Sequence, residues 1–199
     1  MVEIKSLELK TNLQGILSKR IEEITKEDLK QIEIIKLDYF EDFLIDDLSL
    51  FSNLKKCILK NYRLCQKEIE ILENLSKLET LELINCHFND KCKLDLRKLK
   101  LSFCENIAIG EVFRQSNINE IYLDNCNKIM LINLDKINKL NQITLNEMNI
   151  TRKMAIDLNN SLIKNIYFNN CNVNLLAKKK LRSLAKNKCI KQENKSFSS

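Results

Sequence analysis

The segment LETLELINC at residues 78–86 decides the fold, because its pattern of apolar positions returns along the chain. It recurs as LRKLKLSFC at 96–104, INEIYLDNC at 118–126 and IKNIYFNNC at 163–171. Weaker copies are IEIIKLDYF at 32–40, LKKCILKNY at 54–62 and LNQITLNEM at 140–148, with a possible edge copy IKSLELKTN at 4–12. Successive copies begin 28, 22, 24, 18, 22, 22 and 23 residues apart. The sequence therefore predicts eight stacked turns of similar structure.

Each copy has the pattern of a short strand with one buried face. The fourth and sixth positions are apolar and alternate with polar residues, while the first and ninth positions are apolar residues expected at the corners. A single turn of this kind cannot cover its own apolar face, so neighbouring turns must stack. Their strands then form a parallel sheet that is roughly 35–40 Å long at about 4.8 Å per strand.

These segments resemble the leucine-rich repeat family, whose core is L-x-x-L-x-L-x-x-N/C-x-L with a period of about 20–29 residues. The resemblance covers Ile4 to Val173 and is closest to short intracellular repeats of the cysteine-containing or 22-residue type. It implies an α/β fold, a curved horseshoe solenoid with a parallel concave sheet of about eight short strands and helical or irregular convex returns. The same scaffold serves unrelated partners, so the resemblance implies binding without naming the partner.

The segments between the copies predict the convex side and the end of the domain. Helical spacing of apolar residues predicts helices over 13–24 and 65–75, and the short returns 129–139 and 151–161 have room for one or two helical turns. Asn174 is expected to cap a helix that packs through Leu176, Ala177, Leu181 and Leu184. The predicted organisation is a solenoid at 1–173, with turns starting near 4, 32, 54, 78, 96, 118, 140 and 163, a capping helix at 174–190 and a disordered basic and polar tail at 191–199.

Composition indicates a single soluble domain. The chain has 199 residues, of which 44% are hydrophobic and 30% charged, and it contains no Pro and two Gly. Left-handed backbone positions are therefore expected to fall on Asn or Asp. No secretory signal and no apolar run of about 20 residues is visible, so we expect a monomer without a membrane span, located in the cytoplasm, or in the nucleus if the source is eukaryotic. In such a compartment the eight cysteines would be reduced.

The net charge of +6 is concentrated near the C-terminus. Residues 178–195 contain eight basic residues and one acid, and the remaining 25 basic and 26 acidic residues give the rest of the chain a charge of −1. Three interpretations remain open: the solvated face of the capping helix, a contact for nucleic acid or acidic lipid, and an address signal. The segment lacks the interleaved aromatic residues that stack on single-stranded nucleic acid.

Few residues suggest chemistry. Cys86, Cys104, Cys126 and Cys171 share the corner position, where small apolar side chains are expected to pack. Cys86, His87 and Cys92 lack the paired spacing that is typical of zinc sites. We find no glycine-rich phosphate loop or hydrolase motif, so the sequence predicts no enzyme, no metal and no cofactor.

The outward positions of the strands are the better candidates for function. In the repeat frame, the third, fifth, seventh and eighth positions of each copy point away from the core, and several carry aromatic residues, which commonly dominate interface energetics. The predicted partner-binding residues on the concave face are Lys36, Asp38, Tyr39, Ile58, Lys60, Glu82, Ile84, Lys100, Phe103, Tyr122, Asp124, Glu147 and Tyr167.

The leading hypothesis is a non-catalytic protein-protein interaction module, an adaptor, scaffold or regulatory subunit whose protein partner is unknown. The alternative is association with nucleic acid or an acidic surface through the basic C-terminal segment, which would depend steeply on salt. A third hypothesis, catalysis around His87 and Cys86, has the least support in the sequence.

Overall fold

The computed structural model describes residues 3–39, 45–88, 90–184 and 188–193, which form an α/β structure. In chain order the strands are β1 (Ile34–Asp38), β2 (Lys56–Lys60), β3 (Arg63–Leu64), β4 (Thr80–Ile84), β5 (His87–Phe88), β6 (Asp95–Ser102), β7 (Asn117–Asp124), β8 (Gln142–Asn146), β9 (Asn149–Ile150), β10 (Asn165–Asn169), β11 (Asn172–Val173) and β12 (Cys189–Glu193). The helices are α1 (Leu7–Leu17), α2 (Lys26–Lys30), α3 (Gln66–Glu73), α4 (Ile109–Val112), α5 (Arg152–Asn160) and α6 (Leu175–Leu184). Short 3₁₀ segments lie at Ile21–Glu23, Ile45–Leu50 and Leu134–Lys136.

Eight strands form one sheet in the order β1-β2-β4-β6-β7-β8-β10-β12, and every neighbouring pair is parallel. The register places the fourth positions of the predicted copies side by side, so that Leu81 lies between Cys57 and Leu99. Two-stranded parallel ladders, β3 with β5 and β9 with β11, follow the ends of the neighbouring main strands. The predicted α/β class and parallel sheet of eight strands are confirmed.

One hydrophobic core joins the sheet to its connecting segments. The fourth and sixth positions of the predicted copies are buried in every strand from β1 to β10, as in Leu81 and Leu83. Ile69 and Leu72 of α3 and Met154 and Leu158 of α5 belong to the same cluster. The connecting helices therefore cover one face of the sheet, and no described helix packs on the other face.

The edge copy at residues 4–12 is not a strand, so that prediction is wrong. These residues begin α1, where the Ser6 hydroxyl accepts a hydrogen bond from the Leu9 amide. Asp47 fixes this start, because its carboxylate accepts the amides of Lys5 and Ser6 at 2.9 Å each. Leu9 and Leu13 are buried while Thr11 between them is exposed, which fits a helix and not a strand, where all three would share a face.

The connecting segments differ in detail from the predictions. The helix expected over 13–24 ends at Leu17, because Ser18 takes a left-handed conformation at φ 52°, and Ile16 is exposed. Cys65, predicted to pack on a helix, is the exposed residue that precedes α3. The return at 151–161 forms a nine-residue helix, α5, and the return at 129–139 holds only the 3₁₀ segment.

The C-terminal segment contains a strand that the sequence did not predict. Asn174 caps α6 as expected, since its side chain accepts the Ala177 amide at 2.8 Å, but Leu176 is exposed. Of the helix predicted at 174–190, α6 covers Leu175–Leu184, and positions 185–187 lie outside the described residues. Cys189–Glu193 forms β12, paired with β10, although 189–190 were expected to be helical and 191–193 disordered. The rest of the predicted tail, 194–199, lies outside the described residues.

Asparagine occupies most of the left-handed positions, as predicted from the scarcity of glycine. Of eleven described non-glycine residues with positive φ, six are Asn. Several follow directly after a strand, and their amides donate to the last carbonyl of the next strand, as from Asn61 to Ile84 and from Asn125 to Asn146. No helix within the described ranges is long and apolar enough to cross a membrane.

Candidate functional site

The candidate site is the face of the main sheet opposite the core, here called the open face. Its side chains lie in rows that run across the strands, because parallel pairing sets equivalent residues side by side. The central row is Lys36, Ile58, Glu82, Lys100, Tyr122, Thr144, Tyr167 and Lys191. The first row is Ile34, Lys56, Thr80, Lys98, Glu120, Gln142, Asn165 and Cys189.

Two further rows lie toward the carboxyl ends of the strands. The third row is Asp38, Lys60, Ile84, Ser102, Asp124, Asn146 and Asn169. The corner row, which follows the strands, is Tyr39, Asn61, Asn85, Phe103, Asn125, Glu147 and Asn170. All thirteen residues predicted to bind a partner fall in these rows: six in the central row, four in the third and three in the corner row.

Two tyrosines flank a threonine at the centre of the β7, β8 and β10 segment. Tyr122 and Tyr167 lie on either side of Thr144, which is only 9% exposed although it is on the open face. The Lys100 ammonium lies 5.6 Å from the Tyr122 ring centroid, and the Lys191 ammonium lies 5.9 Å from that of Tyr167. These are cation–π distances, so each ring is held in place and presents a half-buried aromatic surface.

The electrostatic surroundings of Tyr122 favour its neutral form. Burial raises the pKa of the Tyr122 phenol, Asp124 raises it further, and Lys100 opposes both effects. The phenol therefore stays a hydrogen-bond donor at neutral pH. A neutral donor beside an aromatic face suits recognition of another protein's polar groups.

Ion pairs join charged side chains of the open face on strands β1, β2, β4 and β6. Lys60 binds Asp38 at 2.5 Å, and the hydrogen bond from Lys60 is the largest cause of the lowered pKa of Asp38. Glu82 lies between Lys100, at 2.8 Å, and Lys56, at 3.6 Å. These ion pairs set the positions of long side chains on this part of the face.

Phe103 combines exposure with an unfavourable backbone conformation. Its side chain is 54% exposed and its φ is 54°, at a corner-row position where Asn61, Asn85 and Asn125 take the same conformation. A bulky residue with positive φ is uncommon and costs free energy that Asn largely avoids. Phe103 therefore combines an exposed aromatic ring with a backbone conformation that is unfavourable for a bulky side chain.

Several residues of the open face, among them Lys98, Glu120 and Lys191, were not among the predicted binding residues. Lys98 and Glu120 occupy the third, outward position of their copies, so the frame was the signal that could have identified them. Lys191 could not be found in this way, because β12 carries no copy of the repeat.

The corner cysteines pack in the interior. Cys86, Cys104 and Cys126 are at most 1% exposed, and each thiol donates to two backbone carbonyls, as from Cys126 to Leu101 and Asp124 at 3.4 and 3.2 Å. Burial raises the pKa of Cys86 to about 11, which leaves a protonated and unreactive thiol. His87 is exposed in the β3/β5 ladder, so Cys86 and His87 do not form a nucleophile and base.

The described residues offer no metal site, since they hold no group of three or more His, Cys, Asp or Glu side chains placed to share an ion. A cleft of about 380 Å³ lies among the connecting segments and is bordered by Phe51, Leu54, Ile71 and Leu75.

A scan of protein-family models finds no match to this chain, and a search of curated proteins finds none either.

Proposed function

We propose that this chain is a non-catalytic protein-binding module of the leucine-rich repeat class, which engages a partner protein through the open face. The observation that carries the proposal is the continuous face of eight parallel strands, in which half-buried tyrosines and ordered ion pairs lie outside the core. Phe103 supports it independently, because an exposed aromatic side chain is retained there at a conformational cost.

The proposed role is that of an adaptor, scaffold or regulatory subunit with one solenoid over 1–173. All eight cysteines are free, which supports placement in a reducing compartment, the cytoplasm or the nucleus. The basic C-terminal segment is a weaker candidate for function. Lys178 and Lys179 are exposed, but Lys188 donates to Leu158, Ser161 and the Ser161 hydroxyl and so serves the fold.

The test is affinity capture from lysate of the source cells with the intact chain and a Tyr122→Ala/Tyr167→Ala variant. A matched control, Asn159→Ala/Leu162→Ala, changes exposed residues on or beside α5. We expect a protein captured by the intact chain and the control at high salt to be lost from the tyrosine variant, since truncated anchors cost about 2 kcal/mol or more. Circular dichroism must show that all three proteins are folded.

Equal capture by the tyrosine variant would show that the open face is not the binding site. Capture of nucleic acid that disappears at moderate salt, and that depends on Lys178 and Lys179, would favour the basic segment instead.

A further inference from the structure

The charged side chains of the open face are segregated by sign along the sheet. The part formed by β1, β2, β4 and β6, here called the basic half, carries five lysines and two carboxylates: Lys36, Lys56, Lys60, Lys98, Lys100, Asp38 and Glu82. The part formed by β7, β8 and β10 with their corner residues, here called the acidic half, carries Glu120, Asp124 and Glu147 and no lysine or arginine. The formal charges are +3 and −3.

The acidic half lacks internal compensation. Among the described residues, Glu120, Asp124 and Glu147 form no ion pair; Asp124 and Glu147 accept only the side-chain amides of Asn146 and Asn125, at 2.6 and 3.2 Å. Lys191, on the edge strand, is directed over the Tyr167 ring. An unpaired carboxylate beside an aromatic ring is well suited to a guanidinium, which can stack on the ring and donate to the carboxylate.

The basic half keeps two lysines outside its ion pairs. Lys60 neutralises Asp38, and Lys56 and Lys100 share Glu82. Within the described ranges Lys36 and Lys98 form no ion pair with a carboxylate, although Lys98 lies 5.9 Å from the Tyr122 ring centroid. These two ammonium groups are available to an acidic side chain of a partner.

We infer that the open face binds a bipolar protein segment, with acidic residues over the basic half and an arginine-containing basic stretch over Tyr122 and Tyr167. This inference rests on the proposed function and specifies the chemistry of its partner. The centres of the two halves are about 3.5 strand spacings, or roughly 17 Å, apart across the sheet. An extended chain covers that distance in about five residues, so the centres of the acidic and basic stretches of the partner lie about five residues apart.

Synthetic peptides test this inference on the full chain by fluorescence anisotropy at low and moderate salt. One labelled peptide carries a short Glu run and a short Arg run whose centres lie about five residues apart, joined by Gly and Ser, and two others carry only one of the runs. We expect the bipolar peptide to bind about tenfold more tightly than either single-charge peptide, because both halves are engaged at once.

Charge-neutralising variants locate the binding. Glu120→Gln/Asp124→Asn/Glu147→Gln should abolish binding of the Arg peptide, and Lys36→Gln/Lys98→Gln should abolish binding of the Glu peptide. Controls with equal charge changes outside the open face are Glu22→Gln/Asp90→Asn/Asp135→Asn and Lys153→Gln/Lys179→Gln, all at exposed residues. If the face variants and the controls weakened peptide binding equally, the inference would be wrong, because binding would then depend only on the net charge of the chain.

The partner captured from lysate separates this inference from the proposed function. Loss of the partner from the tyrosine variant and from both charge variants supports both. If the partner is lost from the tyrosine variant but kept by both charge variants, the proposed function is supported and the inference of a bipolar partner is wrong. Retention of the partner by every face variant overturns both. If the chain binds a single-stranded oligonucleotide through Lys36 and Lys98 and does not bind the bipolar peptide, the ligand of this face is nucleic acid and the inference is wrong.

Discussion

At the scale of single residues, Phe103 is the side chain of the open face that its backbone conformation favours least. Its aromatic ring is exposed while its backbone occupies the left-handed region, in a row where Asn61, Asn85 and Asn125 do the same with little strain. Residues that are costly to the fold are typically kept because they contact a ligand or a partner.

Replacing Phe103 with Asn should stabilise the protein by about 1 kcal/mol, because Asn tolerates positive φ. The same change should weaken capture of the protein partner. Urea unfolding gives the stability, and the capture assay gives the binding. Asn125→Phe, the reverse change at an equivalent corner position, should destabilise the protein, and a stability loss in Phe103→Asn would show that the ring contributes to the fold.

The cysteines divide into two classes by burial, which sets their reactivity. Cys65 and Cys189 are exposed, and the other six are buried, with pKa values raised by burial to about 11 for Cys104 and about 12 for Cys57. Native protein should therefore react with two equivalents of a thiol reagent at pH 8, and unfolded protein with eight. The Cys65→Ser/Cys189→Ser variant should not react until it unfolds; fast labelling of that variant would contradict the burial of the remaining thiols.

At the scale of structural elements, the two glycines differ in whether their surroundings have room for a side chain. A Cβ on Gly110, in α4, would lie 2.0 Å from the Asn133 carbonyl oxygen, whereas a Cβ on Gly15, in α1, would meet nothing within 4 Å. Gly110→Ala should cost about 2 kcal/mol or more, since backbone would have to move. Gly15→Ala should add about 0.5–1 kcal/mol. Thermal unfolding of both variants checks the pair, and a neutral Gly110→Ala would contradict the close approach of these two connections.

Lys188 joins the last strand, β12, to the end of helix α5. Its ammonium donates at 2.6 Å to the carbonyls of both Leu158 and Ser161, at the end of α5, and burial lowers the pKa of Lys188. A cation is favourable at a helix C-terminus because it satisfies carbonyls that have no partner within the helix.

Lys188→Met should cost about 1–3 kcal/mol through the loss of these charged hydrogen bonds. Because β12 follows Lys188 directly, its amides should exchange with deuterium faster in the variant, before global unfolding. Lys179→Met, at an exposed lysine of α6, is the control and should leave exchange in β12 unchanged. Unaltered protection of β12 in Lys188→Met would mean that its ladder with β10 holds the strand alone.

At the scale of the whole molecule, the buried thiols give the fold an alkaline limit. In the unfolded chain the thiols have the ordinary cysteine pKa of 9.0. In the folded protein, burial raises the pKa of Cys86 to about 11 and that of Cys126 to about 12. The stabilisation is therefore complete below pH 9 and is lost as the pH rises toward 11. Each thiol contributes a slope of about −1.4 kcal/mol per pH unit in that window.

Urea unfolding between pH 8 and 11 should show a steep loss of stability. Cys126→Ala should make the slope shallower by one proton, and the exposed Cys65→Ala should leave it unchanged. An identical slope in all three proteins would show that the buried thiols do not govern the alkaline limit.

The sequence by itself determined the parallel pairing of β1, β2, β4, β6, β7, β8 and β10, their register and the side chains that these strands place on the open face. Period-2 alternation within each copy assigns a residue such as Leu83 to the core and Glu82 to the other face, and the repeat spacing sets neighbouring copies side by side. All of this follows from local pattern, because the same apolar positions must be buried in every turn.

Only the tertiary structure decided how the ends are closed and how the charges are distributed. Asp47 fixes the start of the helix at residues 7–17, and β12 is held by its pairing with β10 and by the hydrogen bonds from Lys188 to the end of α5. Local sequence patterns therefore predict neither end of the structure. The segregation of Lys36 and Lys98 from Glu120 and Asp124 emerges only when the strands are ordered side by side. These features join residues from about twenty to more than forty positions apart, and such contacts exist only after the chain has folded.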